Sequence, residues 1–553
     1  MNLTPKALFD RSVADLRLAW RVLLNRGPGQ IQFWFIALGV GILAGLAALV
    51  FRVAVAESKM FLYGVENILF VHLPWYALIA IPTVGGLVVG FILTRFTPDG
   101  RARAVTDVIE GAALRDGRVE GKAGIASALA SFVTLSTGGS TGREGPVVHL
   151  AGVIATKFAN FFRVDGITGR DLLGCAVASA VAASFNAPLA GALFALEVIL
   201  RHFAVHAFAP IVIASVSGAV IGRLAFGNVA EFSLVAMTLQ DFYLELPAFL
   251  LLGVVCGLVS VLFMRGIFVA DDIASDITNR FKIPAMIRPA LAGMLLGIIA
   301  IWFPHIIGVG YDMTSKALLG DLALGSVLMF TVVKAVAVAI TMAGRMGGGI
   351  FSPSLMMGAL TGLGFGIVAT AILPGVSGDT TLYALAGMGA VAAAVLGAPI
   401  STVLIVFELT GNWQAGLAVM VAVSVSTALA SRIVNRSFFL TQLERRGVHI
   451  AAGPQEYLLS VVPVATVMVG KDDPFMAEDA ACWELVEQGN YVDGSATLEV
   501  AMGVFDAANT RFIPVLSLGG EDQPPELLGV VFQVDALRAF NRALAAKSAE
   551  EHS

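Results

Sequence analysis

The sequence predicts an all-α polytopic membrane protein of two related halves with discontinuous helices, followed by a small aqueous α/β domain. Three observations predict it. Of 553 residues, 57% are hydrophobic and only 14% charged, against about 25% charged in a typical soluble domain. Long uncharged runs recur at Gln30–Phe51, Phe203–Gly222, Leu246–Met264, Met346–Gly378 and Leu409–Ser431, and about 20 such residues span a bilayer. Finally, Phe185-Asn-Ala-Pro188-Leu-Ala-Gly-Ala-Leu-Phe-Ala-Leu-Glu197 is echoed by Leu396-Gly-Ala-Pro399-Ile-Ser-Thr-Val-Leu-Ile-Val-Phe-Glu408. In both copies Ala-Pro opens an apolar helix, and a glutamate follows the proline at the same spacing.

At the amino end, Met1–Arg26 reads as an amphipathic helix carrying Lys6, Arg11, Arg17, Arg21 and Arg26. Nothing in it resembles a cleavage site, so it does not read as a signal peptide. Its basic residues place this end in the cytoplasm of an inner (plasma) membrane protein. Arg432, Arg436, Arg445 and Arg446 flank the last apolar run and place the carboxyl end on the same side. The expected divisions are 1–30, a membrane domain over 31–447 with halves near 31–240 and 241–447, and a tail over 448–553.

Within the membrane domain the apolar segments are uneven. Ile31–Phe51 and Trp75–Leu93 are long. Ala123–Leu135, Gly174–Phe185, Pro188–Leu200 and Leu382–Leu396 are short and broken by glycine or proline. Such segments are the trace of helices that stop inside the membrane, tolerated where their ends are buried in protein or line a cavity; tilted or interfacial helices are the alternative. Each copy of the repeat also has a glycine-rich turn with a proline upstream, Gly142–Pro146 and Gly347–Pro353. Two halves with matching discontinuous helices indicate a transporter with its site between them.

The first of these turns, Gly139-Ser-Thr-Gly142-Arg143-Glu144-Gly145-Pro146, holds a carboxylate directly before an apolar helix. An ionisable group at membrane depth marks a functional site. Glycines before a helix leave backbone N–H groups pointing freely, and the helix start favours an anion. Glu144 therefore competes with a permeating anion for the same donors.

These residues carry a resemblance to the CLC family of chloride channels and proton-coupled chloride exchangers. Gly142-Arg143-Glu144-Gly145-Pro146 matches that family's gating-glutamate motif. Gly349-Ile350-Phe351-Ser352-Pro353 matches its second anion-binding helix start, and Asn186–Gly191 matches as well. The resemblance covers roughly residues 31–447. It implies a homodimer in the lipid bilayer, with one pathway per subunit for chloride or similar monovalent anions. Glu144 would be the external gate, leaving the anion site when protonated. The anion would be held by Gly142, Arg143, Gly145 and Pro146 of the first turn and by Gly349, Ile350 and Phe351 of the second. Three positions depart from the family pattern. The exchangers' inner proton-relay glutamate is replaced by Val198, beside Glu197. The central serine's position falls on Arg103, which either faces the pore or snorkels to the cytoplasmic surface, the surface being favoured. The central tyrosine aligns with Phe439, which lacks the hydroxyl. Val198 and Phe439 favour a channel or uncoupled conductance gated by Glu144, with a proton-coupled antiporter as the alternative. The intact glycine-arginine-glutamate-glycine-proline motif argues against the fluoride-specific branch.

From about Gly453 the composition turns aqueous. Thr497–Ala508 reads as a helix, Arg511–Leu516 and Leu527–Phe532 as strands, and Asp535–Ala546 as a second helix. This order resembles a CBS module, with Val464–Val469 as the stub of a degenerate first copy. A packing role, pairing across the dimer, is expected of it rather than a nucleotide site, so no cofactor is expected.

Other signals are read blandly. Gly138–Gly142 formally matches the Gly-x-Ser-x-Gly nucleophile elbow of a serine hydrolase, but an apolar helix precedes it where a strand is required, and no enzyme is expected. His149, His202, His206 and His305 are isolated and read as hydrogen-bonded structural residues rather than metal ligands. Glu197 and Glu408 read as structural carboxylates bonded to nearby backbone N–H groups, and Arg143 as buried beside Glu144. Gly86/Gly90 and Gly358/Gly362 read as close helix contacts. Cys175 and Cys256 read as reduced core residues. The net charge of −5, with the excess acid in the tail, argues against nucleic-acid binding.

Overall fold

The computed structural model describes residues 29–64, 73–203, 205–227, 232, 242–374, 377, 380–448, 459, 462–471, 473–494, 496–508, 510–517 and 526–552. The helix expected over Met1–Arg26 lies outside them. Two compact units emerge, one reaching Val448 and one starting at His449, apart from residues 204–206, which group with the second.

In the first unit the first half runs α1 (Gln30–Tyr63), α2 (Trp75–Phe96), α3 (Val105–Leu114), α4 (Gly121–Ser136), α5 (Glu144–Phe162), α6 (Gly166–Phe185), α7 (Pro188–Phe194) and α8 (Val205–Phe226). A π-helical turn over Ala195–Leu200 extends α7. The second half runs α9 (Phe242–Arg280), α10 (Arg288–Trp302), α11 (Tyr311–Leu318), α12 (Leu324–Ala343), α13 (Phe351–Ile372), α14 (Thr380–Leu396), α15 (Pro399–Thr410) and α16 (Trp413–Val434), followed by α17 (Phe438–Glu444). Helix for helix the order repeats, with a short third member, α3 or α11, in each half. Among the described residues seven helices are long and apolar enough to cross a membrane, and Pro188–Leu200, Arg288–Trp302, Thr380–Leu396 and Pro399–Thr410 are shorter apolar helices. From Leu172 to Phe185, and from Thr381 to Leu396, every residue is buried. That suits helices that are apolar all round and sit at the centre of a large fold.

Two exchanges join the halves. The glycine turns meet as an isolated antiparallel bridge, Gly142 N–H donating to Gly349 O at 2.7 Å and Gly349 N–H to Gly142 O at 2.9 Å. The repeated glutamates cap each other's helices. Glu197 accepts from Ile400 N at 2.9 Å and Ser401 N at 2.8 Å, at the start of α15. Glu408 accepts from Leu189 N at 2.9 Å and Ala190 N at 2.8 Å, at the start of α7. First-turn amides lack intrahelical partners, and a carboxylate suits the positive end of the helix. The expectation for both glutamates holds, with the donors supplied from the other half.

The glycine pairs behave as read. A Cβ on Gly86 or Gly90 would lie 2.3 Å or 1.9 Å from the carbonyls of Pro289 and Met286 at the α2–α10 crossing. One on Gly358 or Gly362 would lie 2.3 Å or 2.0 Å from those of Gly387 and Tyr383, between α13 and α14.

The second unit is a four-stranded sheet in the order β1-β4-β3-β2, made of β1 (Val469–Gly470), β2 (Val492–Asp493), β3 (Phe512–Ser517) and β4 (Glu526–Phe532). Strand β4 pairs antiparallel with β1 and β3, while β2 pairs parallel with β3. Ile513, Val515 and Val531 pack against Leu498, Ala501 and Phe505 of α19 (Leu498–Ala508) and Ala536 of α20 (Gln533–His552). Leu516, Leu527 and Val530 cover the other face with Cys482 of α18 (Asp479–Glu487). This small α/β unit fits the CBS-like expectation, with one correction. Val464–Thr466 is a single 3₁₀ turn and Val469 sits in the edge strand of this same sheet, so the stretch completes the one module rather than starting another.

Candidate functional site: a buried glutamate above an arginine-lined cavity

Glu144 opens α5 and is 1% exposed. Its Oε1 accepts from the Tyr311 hydroxyl at 2.7 Å and its Oε2 from Ser352 Oγ. The two hydroxyls lie 3.1 Å apart. The Arg143 guanidinium sits 5.0 Å from the centre of the Tyr311 ring, with its Nε 3.8 Å from Glu144 Oε1. The carboxylate folds back over Gly142, where a Cβ would stand 2.7 Å from Oε2. Tyr311 is presented by a turn in which Gly308 and Gly310 adopt φ of +72° and +92°. Lys334, wholly buried on α12, pins that turn by donating to Ile306 O at 3.2 Å and Gly308 O at 3.1 Å.

Next to this carboxylate cluster lies a cavity of about 310 Å³. Gly145, Gly349, Ile350, Phe351 and Phe439 line it, together with Ala104, Thr106 and four arginines, Arg101, Arg345, Arg445 and Arg446. Asp271 and Asp272 are its two carboxylates, and both are spent: Asp271 on Arg288 at 2.8 Å, and Asp272 on Arg445. Arg446 pairs with Asp107 at 3.0 Å. Among the described residues no carboxylate pairs with the guanidinium of Arg101 or Arg345, so the cavity keeps a positive excess. Burial, with Arg101 and Arg288 nearby, holds the Arg345 guanidinium below its usual pKa.

Several sequence expectations change here. The amides of Gly142 and Gly349 are occupied by each other's carbonyls, so neither is the free anion donor expected of it. Donors that remain are first-turn amides of α5 and α13, which lack intrahelical partners; Pro146 has no N–H to offer. The Phe351 ring packs 4.9 Å from that of Phe185 and 5.6 Å from that of Phe194, so toward the cavity its backbone is the useful part. Phe439 lines the cavity, edge-on to Phe438. Arg103 does not line this cavity. Its guanidinium is held by Asp99 at 3.1 Å, Asp107 at 3.3 Å and Glu120 at 3.4 Å. Burial would lower its pKa, but Asp107, Asp99 and Glu120 outweigh burial and raise it. Val198 is buried in the π-helical turn, and Glu197 beside it is occupied as a cap. His149 and His305 also depart from expectation: both ring nitrogens of His149 and Nε2 of His305 are buried without a hydrogen-bond partner. The Gly-x-Ser-x-Gly elbow follows a helix, α4, and Ser140 Oγ is buried without a partner, so no activated nucleophile is assembled there.

Tyr311, Ser352, Arg101 and Arg345 were missed. A signal for Tyr311 existed: it precedes Phe351 by nearly the distance at which Val105 precedes Glu144. Extending the repeat upstream would have placed the starts of both short helices at the site.

A buried glutamate between paired glycine turns, in two repeated halves of discontinuous helices, defines a membrane transporter with its site at the repeat interface. The sequence matches the family described as voltage gated chloride channel over residues 85–431, and the chain belongs to that family, the CLC proteins. It is 30% identical over 392 residues to a putative chloride channel protein ClcB-like of Ralstonia nicotianae, covering 69% of this chain and 90% of the relative. It is likewise 30% identical over 434 residues to the H(+)/Cl(-) exchange transporter ClcA of Cronobacter sakazakii, covering 77% and 92%. A slow cyanobacterial Cl-/H+ antiporter superposes with a TM-score of 0.66 at 21% identity, covering 76% of this chain and 98% of that one. A eukaryotic CLC transporter superposes at 0.64 and 18% identity, covering 91% and 98%. The protein is an integral membrane protein of the CLC chloride-transport family.

Proposed function

We propose that this protein exchanges chloride for protons across a cytoplasmic membrane, with Glu144 as both gate and proton carrier. The single observation that carries the reading is the Glu144 clamp. One protonatable carboxylate, held by two hydroxyls, closes the junction where the arginine-lined cavity ends at Gly145 and Gly349. Ionised, it keeps the anion out and accepts from Tyr311 and Ser352. Protonated, it loses the charge that makes those bonds strong and leaves the position to an anion. The cavity's positive excess concentrates anions at the junction without a paired cation gripping them, so they can leave. The relatives named as exchangers support the same reading. Val198 supports the second one, an uncoupled conductance with the same gate. The cavity would open to the cytoplasm, with both termini there, and the subunit would pair into a homodimer, as the family resemblance implies.

The test is chloride efflux from liposomes with simultaneous recording of protons. Chloride efflux that drives protons uphill supports exchange, and efflux without proton movement favours the conductance. Glu144→Gln should carry chloride independently of pH and move no protons. An unchanged pH response in that variant removes Glu144 from the mechanism.

A further inference from the structure

We propose that the arginine-lined cavity is a binding site for a phosphate-like oxyanion, held by Arg101 and Arg345, which while bound shuts chloride out of the approach to Glu144. The inference deepens, and rests on, the reading of that cavity as the anion's way to Glu144. At about 310 Å³ the cavity has room for on the order of ten waters, far more than one chloride ion fills. Asp271 and Asp272 on its wall are paired with Arg288 and Arg445, and Arg446 is paired with Asp107. Among the described residues no carboxylate pairs with Arg101 or Arg345, so two guanidinium charges stand uncompensated. The Nε–H groups of Arg345 and Arg446 are buried without a hydrogen-bond partner, and a buried donor left so is costly.

The backbone at Arg345 is an independent observation. Helix α12 ends at Ala343, and the chain leaves it through Arg345 at φ +56°. Glycine or asparagine is the usual occupant of a left-handed position after a helix, and glycine would serve the turn without strain. Arg345 is also set among other cations: Arg101 and Arg288 both act on its charge, against Asp271 and Asp99. Strain, like charges and an unmet donor at one residue mark a ligand site whose occupant offsets all three. An oxyanion fits it better than chloride. A guanidinium presents parallel N–H groups that meet two oxygens of a phosphate at once, whereas chloride is a single acceptor. A phosphate ester carries about −1.5 to −2 at pH 7, which matches the two uncompensated guanidiniums. Gly145 and Gly349 line the same cavity, so the occupant fills the space that chloride crosses to reach the glycine turns. A bidentate, doubly charged grip is the opposite of the loose hold that lets a permeating anion leave, so the oxyanion blocks rather than passes.

The experiment takes wild type, Arg101→Gln, Arg345→Gln and Arg345→Lys and measures melting in detergent and chloride efflux from neutral liposomes. Each is recorded at one pH with sodium phosphate, on both faces of the membrane for efflux, and with sodium gluconate at matched ionic strength. Phosphate should raise the wild-type melting midpoint and slow chloride efflux, and gluconate should do neither. Each substitution should raise the phosphate concentration for half of either effect about tenfold. Arg345→Lys should behave as Arg345→Gln does, because it keeps the charge but loses the fork. The site is overturned by a wild type that ignores phosphate, by an equal effect of gluconate, by full recovery in Arg345→Lys, or by variants that respond as wild type does. Efflux slowed in liposomes containing phosphatidic acid without free phosphate, and restored in Arg345→Gln, identifies the oxyanion as a lipid headgroup. Slowing by free phosphate in neutral liposomes identifies a soluble one. Wild type that carries no chloride overturns the transport reading, and the melting shift then decides the site by itself.

Discussion

Tyr311 shows how much of the hold on Glu144 depends on one hydroxyl. A hydrogen bond to a charged group contributes about 1.5–3 kcal/mol. Tyr311 donates one of the two side-chain hydrogen bonds that hold the Glu144 carboxylate in place. Tyr311→Phe should therefore raise chloride flux at a fixed pH by up to about tenfold; unchanged or lower flux would mean that the bond does not hold the carboxylate in its closed position. Arg103→Ala gives a contrasting result. Three carboxylates lose their shared cation, so thermal stability should fall while the chloride concentration for half-maximal flux changes little. The difference between Arg101 and Arg103 also marks where the sequence stopped being legible. Residues two apart in an irregular connection carry the same charge, and only the path of the chain into α3 aims one into the cavity and the other into the carboxylates.

At the scale of elements, the repeat was legible where its residues are chemically constrained, at Ala187-Pro188 and Glu197 against Ala398-Pro399 and Glu408. It was not legible at α3 and α11, whose short sequences share no pattern although their starts reach the same centre. Nor could spacing reveal that the capping is reciprocal, since a glutamate at a helix end reads the same whichever amides it meets. Glu197→Ala and Glu408→Ala should each leave two first-turn amides unsatisfied, at about 1–3 kcal/mol apiece. The two melting temperatures in detergent should fall by similar amounts. Gly362→Ala drives a methyl to 2.0 Å from the Tyr383 carbonyl and should cost about 1–3 kcal/mol by overpacking, read in the same melting experiment. An unchanged midpoint would mean that α13 and α14 part easily.

At the scale of the molecule, the two units have separate cores, so a chain ending at Val448 should still fold and carry chloride, as a liposome flux assay would show. Loss of flux in that truncation would make the α/β unit part of the transport cycle. The reciprocal caps set a schedule for biosynthesis. The amides at Leu189 and Ala190 are translated long before Glu408, and at 5–20 residues per second they wait roughly 10 to 40 s for it. Glu197 waits nearly as long for Ile400 and Ser401. Throughout that interval the first half sits in the membrane with open helix ends and an unmatched glycine turn. It is finished only when its counterpart arrives. Two separately translated halves, divided in the 228–241 connection, should therefore assemble when made together, and neither should reach its mature form alone.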